Sequence, residues 1–160
     1  MCAISSTDLA PGGQPPRLAQ LNIARLVAPL DSPALAPFVE ALNEVNALAD
    51  AAAGFVWRFA DDSGNATAVR PWGDDIVVNM SMWESVQALR DFVYGPRHAQ
   101  VLRRRREWFV APGSPHLVLW WVPAGELPTL EQARTRLDLL EANGPGPAAF
   151  TLRQPFGPPP

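Results

Sequence analysis

The sequence contains no lysine; all 13 of its basic residues are arginine. Coding bias toward GC-rich codons explains that as well as any function does, but it still excludes Schiff-base chemistry on lysine. Cys2 is the single cysteine, so neither an internal disulfide nor a cysteine zinc site is available. Long apolar runs are missing as well: none approaches the roughly 20 residues a membrane-spanning helix needs. Met1 to Arg17 lacks the basic-then-apolar order of a signal peptide, so a cytoplasmic protein with no membrane partner is expected. The two histidines, His98 and His116, have neither HxH nor HExxH spacing, and no dedicated metal site is expected. The GxSxG, GxxxxGK and GxGxxG patterns are absent. A net charge of −3 argues against nucleic acid as a partner.

What is present is a chain of 160 residues, 48% hydrophobic, the size and composition of one globular domain. Many of its 18 prolines gather at the ends, which marks residues 1–17 and 157–160 as flexible tails around a domain spanning 18–156. Six tryptophans supply a large aromatic payload, most of it core.

Strict alternation predicts a strand over Leu18 to Leu26, with Leu21 and Ile23 on one face and Gln20 and Asn22 on the other. Ser32 and Pro33 start a helix whose stripe is Leu35, Val39, Leu42 and Val45, ending near Gly54. Phe55 to Phe59 reads as a second strand, grouping Phe55, Trp57 and Phe59. Ile76 to Trp83 reads as a third, with Ile76, Val78, Met80 and Met82 opposite Val77, Asn79, Ser81 and Trp83. A helix over about Glu84 to Tyr94 and a basic one over about His98 to Val110 follow. Leu117 to Val122 is a fourth strand, Thr129 to Ala142 a capped helix, and Ala149 to Arg153 a short edge strand.

That order contains a βαββαβ core, the ferredoxin-like α+β arrangement, with extra helices. With helices on the Met80 side, the opposite sheet face carries Trp83 and one or both of Trp120 and Trp121, too apolar for water. A second copy pairing sheet to sheet in a homodimer, a dimeric α/β barrel, covers it economically. Gln20, Asn22, Asn79, Ser81 and Trp83 then line a cavity between sheets, with Trp57, Trp120 and Trp121 as further substrate-binding candidates. Alternatively, the polar members simply hydrogen-bond across the strands.

His98 opens the basic helix, as a structural residue, a general base or an axial ligand to haem iron. The run Arg103 to Arg106 fans round a helix rather than forming one stripe. Its spacing to Val101, Leu102, Trp108 and Phe109 places Arg105 and Arg106 at the edge of the buried face. There an arginine requires an anionic partner, internal or substrate.

The segments LAQLNIARLVAPLDSP, GFVWR, VVNMSMWESVQALRDFVYGPRH, LRRRREWF and LVLWWVPAGELPT resemble a bacterial domain family of unknown function. It is grouped with the dimeric α/β barrels, near the antibiotic-biosynthesis monooxygenases, and the resemblance spans Leu18 to Phe156. It implies two site constellations. One resembles the haem-degrading branch, with Asn22, Trp83 and His98, although the Trp83–His98 interval of 15 is longer than in that branch. The other resembles the cofactor-independent branch that oxidises phenolic polyketides, with Asn79, Trp83 and Arg105 as catalytic residues.

The leading expectation is therefore an enzyme of secondary metabolism that oxygenates, cyclises or isomerises a hydrophobic aromatic or polyketide-like substrate without a cofactor. Its polar set would stabilise an enolate or phenolate, and His98 would act as base if it reaches the cavity. Two alternatives stand beside it: a haem-binding or haem-degrading protein with His98 on the iron, and a non-catalytic ligand-binding dimer.

Overall fold

The structure, a computed structural model, describes residues 13–160. Cys2 and most of the expected N-terminal tail lie outside the described residues. Four strands form one sheet: β1 (Arg17–Arg25), β2 (Phe55–Arg58), β3 (Ile76–Trp83) and β4 (Leu117–Val122). Their order is β2-β3-β1-β4, and every neighbouring pair is antiparallel. Helix α1 (Ala36–Asp50) connects β1 to β2, crossing β3, and α2 (Val86–Val93) begins the return from β3 to β4, across β1. This is the βαββαβ ferredoxin-like topology read from the sequence.

Local chemistry sets several of the boundaries. Pro33 opens a single 3-10 turn before α1, and the Ser85 hydroxyl caps α2 by accepting from Ala88 N at 3.0 Å. The last helix, α5 (Leu130–Asn143), starts with a reciprocal capping box between Thr129 and Gln132. Gly54 follows α1 with φ +78°, and a Cβ there would lie 2.5 Å from the Ala88 Cβ. Only glycine lets that turn pass so close to α2.

Three elements depart from expectation. The basic helix is two helices, α3 (Pro96–Arg103) and α4 (Arg105–Trp108), separated at Arg104. The break turns Trp108 into the core and lets Phe109 bridge to Leu26. In β2, a bulge between Phe55 and Trp57 shifts the register. Phe55 therefore packs on Trp83, while Trp57 and Phe59 go to the other side of the sheet. The expected last strand is reduced to two isolated bridges, Phe150 with Leu119 and Ala149 with Gly146.

Side-chain parity along β1 and β3 is as the alternation predicts, but the helices take the opposite side. Helices α1 to α4 lie on the side of Leu18, Gln20, Asn22, Val77, Asn79, Ser81 and Trp83, of which Asn79 stays exposed. The other face, with Ala19, Leu21, Met80, Met82, Val118 and Trp120, packs against Ala133, Leu137 and Leu140 of α5. Helix α5 is tied down at two points. The Arg134 guanidinium lies 4.5 Å from the Trp72 ring centre, and Arg136 donates to the Ala148 carbonyl at 2.9 Å. The Trp83 face, expected to meet a second sheet, thus carries helices α1 to α4 instead, and the Met80 face, expected to carry the helices, is buried by the chain's own last helix.

Candidate functional site

The helix-covered face holds two separate apolar clusters. One gathers Leu18, Trp83, Leu89, Leu119 and Phe150 around Phe55 and Phe92. The other gathers Leu26, Leu35, Phe38, Val77 and Trp108 around Leu42 and Val101. Between them the strand pairing places two polar rungs, Gln20 opposite Ser81 and Asn22 opposite Asn79. Gln20 and Ser81 are the buried members of this run, and a polar side chain buried under helices needs hydrogen-bond partners.

The helix layer supplies polar residues along the same division. Asn46 is buried in α1 between Leu42, which packs in one cluster, and Ala52 beyond the helix end, which packs in the other. His98 in α3 lies between Phe92 and Val101, which belong to different clusters. An ion pair from Arg97 to Glu44, with Nε 2.6 Å from the carboxylate, ties α3 to α1 beside both residues. It holds the Glu44 carboxyl below its ordinary range, chiefly through that hydrogen bond.

Gln20 Nε2 donates to Asn79 Oδ1 at 2.6 Å and to Ser81 Oγ at 3.1 Å. Trp83 Nε1 also donates to Ser81 Oγ, at 2.9 Å. Gln20 and Ser81 are buried, Asn22 is half-buried, and Asn79 is exposed, so the band opens at its Asn79 end. Among the described residues, the Asn79 amide protons and the Ser81 hydroxyl proton have no acceptor.

His98 Nδ1 lies 3.0 Å from the Val93 carbonyl. A carbonyl can only accept, so Nδ1 carries the proton and Nε2 carries the free lone pair. Burial pushes the imidazole pKa below its ordinary value, with the Val93 bond acting the other way. This is the neutral tautomer that a general base needs.

The other residues singled out from the sequence fall in different places. Trp83 is 1% exposed, with Phe55 edge-on at 5.5 Å and Phe92 stacked at 5.1 Å, so it is not a cavity wall. Trp121 is on the band's face but donates to the Phe156 carbonyl at 2.9 Å, anchoring the end of the chain. Trp57 and Trp120 lie on the methionine face with α5 and cannot line the band. Arg105 is exposed, like Arg103, Arg104 and Arg106, so the expected burial of Arg105 and Arg106 is not found. The break at Arg104 removes the continuous helix on which that placement relied. Arg104 is the one that finds partners, in Glu107 and the Trp108 ring.

Two contributors were missed. Asn46 occupies the inward stripe of α1, where a polar residue among Phe38, Leu42 and Ala49 is itself a signal. Phe92 lies against both Trp83 and His98, at 5.1 and 5.0 Å, and its place could not be read from spacing. Two surface grooves lie elsewhere and are open to solvent. One, of about 590 Å³, is lined by Gln87, Arg90, Asp91, Tyr94, Leu152 and Arg153, and a second of about 560 Å³ follows Leu26 to Leu30. Neither contains a residue of the polar band.

A ferredoxin-like α+β domain with a polar band between sheet and helices is the class this architecture defines. The chain belongs to the DUF3291 family, a domain of unknown function whose family model matches residues 17–160. Among solved structures it is similar to a protein of unknown function from Nitrosomonas europaea, with 17% identity, 73% of this chain and 99% of that one covered, and a TM-score of 0.50. It is also similar to SnoaB, a cofactor-independent oxygenase from Streptomyces nogalater, at 17% identity over 71% of this chain and 99% of that one, with a TM-score of 0.46. No curated protein matches the sequence. Among the described residues, no helix is long and apolar enough to cross a membrane.

Proposed function

We propose that the chain is an enzyme that binds a hydrophobic phenol or enolisable polyketide-like molecule at the polar band and activates it as its anion. The observation that carries this reading is the set of unspent groups: Asn79 amide protons, the Ser81 hydroxyl proton, and the Nε2 lone pair of a neutral His98. His98 accepts the substrate proton, and the two donors hold the resulting oxygen anion. With dioxygen as co-substrate, the electron-rich anion forms a ring-carbon hydroperoxide. Loss of water from it leaves a quinone, so one phenol and one dioxygen give one quinone and one water. Cyclisation or isomerisation would start from the same anion. The protein is proposed to act in the cytoplasm. A homodimer of it would have to form away from the methionine face, which α5 covers.

The test is oxygen uptake with naphthols and dihydroxynaphthalenes. Asn79→Ala, at the open end of the band, is expected to lower the rate by roughly a hundredfold, the usual cost of losing one oxyanion donor. Absence of uptake across the series would remove oxygenation from the reading.

The haem alternative has one supporting feature, the His98 tautomer, since an iron ligand also needs a free Nε2 and a second-sphere acceptor on Nδ1. The surrounding residues do not fit the group. Phe92 stacks on Trp83 and contacts His98, filling the space between the two residues that would have to flank a porphyrin.

A further inference from the structure

We infer that Trp83 is a positioning residue that fixes the Ser81 hydroxyl as a donor, so the atom recognised at the band is an acceptor: the oxygen of a phenolate, enolate or quinone-type carbonyl. This deepens the proposed function and rests on the same site. An indole N–H can only donate. The Trp83 ring has no freedom to turn away, being 1% exposed and packed between Phe55 and Phe92. Its Nε1 therefore delivers a permanent hydrogen bond to Ser81 Oγ at 2.9 Å. Gln20 Nε2 delivers a second, at 3.1 Å. A hydroxyl oxygen has two lone pairs, and both are now taken. Ser81 can offer a third group only its proton, and two incoming donors polarise that proton further.

The same logic reaches Asn79. Its Oδ1 accepts from Gln20 at 2.6 Å, so the Nδ2 protons are what this exposed side chain still has to offer. Both side chains thus present donors. Gln20 Oε1 is the spare acceptor of the network, on a residue only 6% exposed. Among the described residues, no free cation competes on this part of the face. Arg58, opposite Ser81 on β2, is spent on Asp50 and the Gly64 carbonyl, each at 2.7 Å. The band is built to hold an oxygen acceptor through neutral dipoles, and it rejects an amine, whose protons would meet the protons of Ser81 and Asn79.

The probe is 4-nitrophenol, whose ionised form is yellow and which ionises near neutral pH. Mixed with the intact protein, bound probe is expected to ionise roughly one pH unit lower than free probe, a tenfold change in its ionisation constant. Trp83→Phe keeps an aromatic ring between Phe55 and Phe92 but removes the N–H, and it should return the bound probe toward its free ionisation. Ser81→Ala should do the same by removing the donor itself, and it serves where Trp83→Phe fails to fold by circular dichroism. A bound probe whose ionisation is unshifted, or equally shifted in both variants, overturns this inference and leaves the site standing. Failure of 4-nitrophenol to bind overturns the proposed site and the inference with it.

Discussion

His98 and Val93 are joined by one hydrogen bond, from the imidazole Nδ1 to the backbone carbonyl across 3.0 Å. It pins the ring in one tautomer while burial keeps it uncharged. The sign of the resulting pH dependence follows. In the unfolded chain the imidazole takes a proton near its ordinary 6.5; in the folded chain it does so only at lower pH. Between those values the unfolded state binds more protons, so stability rises with pH there and falls as pH drops below about 6.5. His98→Gln is expected to flatten this part of the profile, measured as urea midpoint against pH. A variant with an undiminished slope would show that another group carries it.

Trp83 combines a buried ring with a buried donor, and the two contributions separate by mutation. Trp83→Ala removes the packing on Phe55 and Phe92 and is expected to cost roughly 3–5 kcal/mol. Trp83→Phe retains most of that packing and loses the bond to Ser81, for a smaller loss of about 1–2 kcal/mol. Denaturant unfolding followed by circular dichroism distinguishes them, and equal losses would contradict the division.

Helix α5 alone covers the methionine face of the sheet, while the other helices lie on the Trp83 side. Leu137 is 5% exposed against the methionine face. Leu137→Ala should cost roughly 2–4 kcal/mol by leaving a cavity there. Leu137→Asp should go further, loosening the helix so that the protein binds a hydrophobic dye and sediments as larger species. Unchanged sedimentation and dye binding in Leu137→Asp would mean that α5 is not what keeps this face from other molecules.

Phe92 between Trp83 and His98 leads to an expectation about haem. Added haem should give no stoichiometric Soret shift that depends on His98. A shift that disappears in His98→Ala would place iron on that imidazole and require Phe92 to move aside.

The succession of elements along the chain, the βαββαβ plan and the alternation along β1 and β3 were legible because period-two patterning survives in the sequence. Which side the helices occupy was not. Parity says that Asn79 and Ser81 share a face with Trp83, but not what covers that face. Here both faces carry helices, so the more apolar Met80 and Met82 side gave a misleading cue. The bulge that sends Trp57 away from Phe55 leaves no local signature in FVWRF. Arg105 was misplaced because four arginines in succession conceal the helix break at Arg104. The candidate site was legible in part. Gln20, Asn22, Asn79 and Ser81 were grouped by parity alone; Asn46 was signalled by its place in the apolar stripe of α1, whereas Phe92 enters only through tertiary packing.

The central claim is that the band between the two apolar clusters takes an aromatic ligand. The most direct measurement follows side-chain amide and indole resonances by NMR while 2-naphthol is titrated into the protein. The Asn79, Asn22, Gln20 and Asn46 amides are expected to shift together with the Trp83 indole N–H, while the Trp120 indole under α5 stays fixed. Shifts confined to the Gln87 and Tyr94 groove, with the band unmoved, would contradict the account.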